Sequence, residues 1–61
     1  MTAKEAKGKI GGEVGYGGRR YRLRELVYWK DEQERVYRWS ALLVEPATNS
    51  GLRVPLEEVE I

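Results

Sequence analysis

Residues 19–30 read Arg-Arg-Tyr-Arg-Leu-Arg-Glu-Leu-Val-Tyr-Trp-Lys, and residues 35–44 read Arg-Val-Tyr-Arg-Trp-Ser-Ala-Leu-Leu-Val. β-branched, aromatic and long aliphatic side chains are interleaved with arginine in both runs, and the polar Asp31-Glu32-Gln33-Glu34 separates them. Such a pair of runs dictates a long β-hairpin. It holds both tryptophans and three of the four tyrosines. Core and function are therefore concentrated in one supersecondary unit.

A turn at Glu32-Gln33 would pair Tyr28 with Tyr37, Leu26 with Trp39, Leu23 with Leu42 and Arg20 with Glu45. In that register the apolar residues near the open end lie on the Tyr21/Leu23/Leu42/Val44 face. Near the turn both faces are apolar, with Leu26, Tyr28, Tyr37 and Trp39 on one side and Val27, Trp29 and Val36 on the other. A bulge near Glu25 or Ser40 would switch faces and keep part of this set inward. The rest is expected to be exposed or covered by a partner.

The flanking segments complete a small barrel. A strand over residues 10–16 should return into Arg19 through Gly17-Gly18, because a type I′ turn requires two positive φ values and diglycine supplies them. That closure sets Tyr16 opposite Arg19 and Val14 opposite Tyr21. Residues 46–51, Pro-Ala-Thr-Asn-Ser-Gly, form a turn cluster. Leu52-Arg53-Val54 is then a short strand whose pairing ends at Pro55, which has no N–H. Residues 55–59 fit one 3₁₀ turn, and Val59-Glu60-Ile61 a terminal strand. The pattern predicts an all-β fold: a small SH3-like five-stranded barrel, or a strongly bent antiparallel sheet, with one 3₁₀ turn before the last strand. Residues 1–7 are polar and are expected as a disordered N-terminal tail, leaving residues 8–61 as a single β domain.

Composition bounds the chemistry. At 61 residues, the chain supports one small core. It contains neither Cys nor His, so disulfides and the usual metal ligands are excluded, and stability rests on strand pairing, aromatic packing or self-association. The same lack removes the common nucleophiles and bases of catalysis, since Ser40 and Ser50 have no imidazole partner. The expectation is a non-enzymatic protein with no cofactor and no metal. Residues 1–7 lack the apolar stretch of a secretory signal, and no run is long enough to span a membrane. The expected location is the cytoplasm.

Net charge is +1, but its distribution is uneven. Residues 1–30 carry eight Lys/Arg against three Glu, a balance of +5, while residues 31–61 carry three Arg against seven acidic residues, a balance of −4. Basic strands lying beside acidic ones would neutralise this within the fold.

Two binding surfaces follow. Tyr28, Trp29, Tyr37 and Trp39 combine the residue types that dominate protein–protein hot spots, which points to a protein partner or to self-association, a homodimer included. The same rings could also form an aromatic cage for a methylated cation. Alternatively, Arg20, Arg22 and Arg24 alternate on one strand face, and continued alternation puts Tyr28 and Trp39 further along it. That set would suit single-stranded nucleic acid, with phosphates on the arginines and bases on the rings.

Gly18-Arg19-Arg20-Tyr21-Arg22-Leu23, Tyr28 and Tyr37-Arg38-Trp39-Ser40-Ala41-Leu42-Leu43 together resemble the pattern of small bacterial all-β domains of SH3-like type. The resemblance covers about half of the chain. It implies a bacterial all-β module and brings no active-site residues with it.

Overall fold

The computed structural model describes residues 1–31, 33 and 35–61, with the backbone alone for Asp31. The chain runs α1 (Ala3–Lys7), β1 (Glu13–Tyr16), β2 (Arg19–Asp31), β3 (Val36–Val44) and β4 (Gly51–Pro55), followed by a 3₁₀ turn at Leu56–Glu58. The four strands form one curled antiparallel sheet in the order β1-β2-β3-β4, a half-barrel. The all-β expectation holds. The expected fifth strand is reduced to a bridge at Glu60, which exchanges backbone hydrogen bonds of 2.7 and 2.8 Å with Gly15 of β1.

The first hairpin follows its turn chemistry. Gly17 and Gly18 have φ of 58° and 79°, the left-handed pair that a type I′ turn demands. Tyr16 lies opposite Arg19 and Val14 opposite Tyr21, as that turn requires.

The second hairpin departs from its expected register, for two reasons. Its last pair is Asp31 with Val36, so four residues close the loop and Arg35 adopts φ 56°. The expected turn at Glu32-Gln33 falls partly on Glu32, outside the described residues. The longer loop slides the arm by two residues, and Tyr28 sits opposite Trp39 rather than Tyr37. A shift of two preserves the face of every side chain. The second cause is a bulge between Leu23 and Glu25 that leaves Arg24 as the extra residue. Below it Leu23 lies opposite Leu43, not Leu42. A one-residue shift exchanges faces, so Leu43 is fully buried and Leu42 half-buried on the other side.

The core lines the inner face of the half-barrel: Val14, Leu23, Ala41, Leu43 and Val54 from the strands, capped by Leu56 and Val59. Ala6 of α1 completes it with no exposed surface. Residues 1–7 are therefore not the tail expected from their polarity. Thr2 and Glu5 form a capping box, in which the Glu5 N–H donates to Thr2 Oγ1 (3.2 Å) and the Thr2 N–H donates to Glu5 Oε1 (3.0 Å). The N-terminal amine also donates to the Val59 carbonyl at 3.2 Å. Five residues cannot hold a helix in water on propensity alone. The caps and the buried Ala6 hold this one.

Candidate functional site

β1 pairs with β2 over Arg19–Arg22, and β4 pairs with β3 over Ser40–Val44. Beyond those limits the two central strands pair with each other. They project as a two-stranded arm, and the molecule measures 35 × 22 × 18 Å.

The inner face of the arm carries a row of rings. Tyr28 and Tyr37 stack with centroids 5.4 Å apart and planes 15° from parallel, and Tyr28 meets Trp39 at 4.9 Å and 49°. Trp39 is half-buried against the core, with the Lys7 ammonium 5.8 Å above its ring. The two tyrosines remain 55% and 61% exposed, far more than a core ring would be. Their planes stand side by side in a row and do not enclose a point, so the cage expected as one option is absent among the described residues.

Trp29 lies on the opposite face. Its indole N–H donates to Ser40 Oγ at 2.7 Å, and the Arg53 guanidinium stacks on the ring at 4.6 Å. These contacts fix the ring while leaving it 43% exposed. Val36, two residues from Trp29's partner Arg38 and so on the same face, is exposed at the loop end of β3. The four residues expected to bind a partner thus divide between two faces of one arm.

The arginines are not brought to the rings. Arg20 and Arg22 lie opposite Gly15 and Glu13 in β1. Arg22 also lies opposite Val44, on the outer face that alternation assigns to Leu42 and Ser40. Tyr28, opposite Trp39, lies on the inner face with Ala41 and Leu43. The bulge at Arg24 separates the two sets. Arg20 pairs with Glu13, Nε to Oε1 at 2.8 Å, rather than with the Glu45 expected opposite it. The stripe of arginines leading to Tyr28 and Trp39 is therefore not assembled.

Sequence reasoning missed what surrounds Trp39. A pocket of about 270 Å³ opens between Met1, Ala3, Trp39 and Leu56, with Arg38 and Glu57 on its rim, linked at 3.3 Å. A second, of about 150 Å³, lies between Trp29, Ser40, Arg53 and Pro55. The Thr2-x-x-Glu5 spacing was the available signal for the helix that walls the first.

Among the described residues, no group of three carboxylates could hold a metal ion. No described helix is long and apolar enough to cross a membrane. Hydrogen bonds from the Thr2 N–H and hydroxyl hold the Glu5 carboxyl below the ordinary glutamate pKa. It belongs to the helix cap and not to the arm. No family model matches the chain, and no curated protein or solved structure matches it either.

Proposed function

We propose that the chain is a non-enzymatic, SH3-like binding module that makes protein–protein contacts, self-association included, through its β2–β3 arm. One observation carries the reading. Among the described residues, Tyr28, Trp29, Val36 and Tyr37 make up four of the seven large apolar side chains left exposed, and all four lie on the arm. Apolar surface gathered in this way marks an interaction site, and Trp and Tyr are the residues that anchor one. The SH3-like description draws support from the meander of β1 to β4, the 3₁₀ turn after β4, and the return of Glu60 to the edge of β1. The nucleic-acid reading loses its support with the separation of the arginines from the rings.

The test is site-specific photo-crosslinking in expressing cells, with p-benzoylphenylalanine at position 37 and, as control, at Ile10, which is exposed away from the arm. A discrete adduct at position 37, either with a second copy or with another protein, is expected. Adducts no stronger than those from position 10 would refute the arm as the contact.

A further inference from the structure

Among the described residues, no strand pairs with the outer edge of β3 from Val36 to Trp39. β4 reaches only as far as the pair Ser40–Pro55, because Pro55 has no N–H to carry the ladder further. Alternate residues of a strand turn their N–H and C=O to the same side, so two of these four present theirs outward. The bulge at Arg24 interrupts β2 between its β1-paired segment and the arm, whereas β3 runs without a break from its β4-paired segment into the arm.

The two pockets beside Trp39 flank this open edge, one on each face, and share Arg38, Trp39 and Pro55. On the inner face the pocket is walled by Met1, Ala3, Trp39 and Leu56 and is largely apolar. On the outer face the pocket holds Arg53, which lies over Trp29 and is paired with no carboxylate among the described residues. The Arg38–Glu57 contact beside the edge is exposed on both sides, so it is a weak closure.

We propose that this edge accepts an extended segment of a partner protein as an added antiparallel strand, with alternating apolar and acidic side chains. Side chains of a strand alternate between faces. Apolar residues of the segment enter the inner pocket, and a carboxylate on the outer face meets Arg53 in a charge-assisted hydrogen bond. Backbone pairing supplies affinity and the two unlike pockets supply the pattern, which is how strand addition achieves specificity. The proposal rests on the arm being a protein-contact element. It fails separately, however, because an adduct at position 37 is compatible with an unoccupied edge.

The probe is a capped seven-residue peptide of alternating Val and Glu, with an alternating Val/Lys peptide as its charge-reversed counterpart, titrated into the full chain and followed by NMR. The Val/Glu peptide should shift and protect amides 36–39 and give intermolecular contacts to Trp39 and Trp29. Arg53→Glu should weaken that complex at least ten-fold and strengthen binding of the Val/Lys peptide by a similar factor. Unchanged amides 36–39 at millimolar peptide would overturn the proposal, as would equal binding of both peptides to the Arg53→Glu chain. Protection of the same amides by rising protein concentration without peptide would assign the edge to a second copy, and would overturn it also.

Discussion

Leu43→Ala is expected to remove most of the stability of this domain, and Leu42→Ala to leave it folded. Leu43 has no exposed surface and packs in the cluster with Leu23, Val14 and Val54. Truncation to Ala removes three carbons, about 2.4 kcal/mol of transfer free energy at about 0.8 kcal/mol each. An enclosed site that cannot collapse raises the cost to about 3–5 kcal/mol. A core in a chain this short rarely supplies more than about 3–5 kcal/mol in all. Leu42 lies on the other face, opposite Glu25 and Arg53, and is half-buried. Its truncation leaves no enclosed cavity and should cost about 1 kcal/mol. Urea unfolding followed by tryptophan fluorescence separates the two. With a slope near 1 kcal/mol/M for a small protein, Leu42→Ala should lower the midpoint by about 1 M. Leu43→Ala should show no cooperative transition. Equal midpoints, or greater damage from Leu42→Ala, would return Leu42 to the core opposite Leu23 and remove the bulge from the account.

Two further outcomes follow from the helix cap and the dispersed arginines. The folded pKa of Glu5 is depressed by its hydrogen bonds to Thr2, so its contribution is present above the ordinary glutamate pKa and is lost as pH falls through the lower folded value; α1 should fray across that acid range, read from the Thr2 and Ala6 amide shifts, and a transition that persists in Glu5→Gln would refute the assignment. Titration with single- or double-stranded oligonucleotides at physiological salt should show no binding tighter than about 10⁻⁴–10⁻⁶ M, the non-specific range. A tighter, steeply salt-dependent complex abolished by Arg22→Ala would restore the nucleic-acid reading.

The hairpins were legible because their determinants are local. Gly17-Gly18 names its own turn, and Pro55 names the end of β4. The register of the long hairpin was not legible, since its loop holds no residue pair that fixes a turn type, and a two-residue turn and a four-residue one fit the same polar stretch. α1 was obscured for a different reason. Its polarity resembles a tail, and the cap at Thr2 and Glu5 becomes decisive only when Ala6 has a core to enter. The exposure of Tyr28, Trp29 and Tyr37 was anticipated from the excess of apolar residues over what one small core can bury. The pockets beside Trp39 were not, because Met1 and Ala3, Trp39, and Leu56 meet there from three distant parts of the chain.

The bulge at Arg24 decides what kind of surface this molecule presents. In an unbroken strand, Arg20, Arg22, Leu26 and Tyr28 would share one face by simple alternation. The charges and rings would then form a single basic, aromatic stripe, and Tyr21 and Leu23 would turn away from Leu26. One additional residue reverses this relation. It places Leu23 opposite Leu43 and Leu26 opposite Ala41 on a common inner face, which makes a continuous core possible. The same reversal leaves Arg20 and Arg22 on the outer face, where Arg20 is neutralised by Glu13. Tyr28 and Tyr37 continue the inner face past the end of the core, so their exposure follows from the length of β2 and β3 relative to β1 and β4. The apolar arm is thus the extension of the core-forming face beyond the strands that would cover it, and a second polypeptide laid along the open edge of β3 would extend the sheet that β4 leaves short.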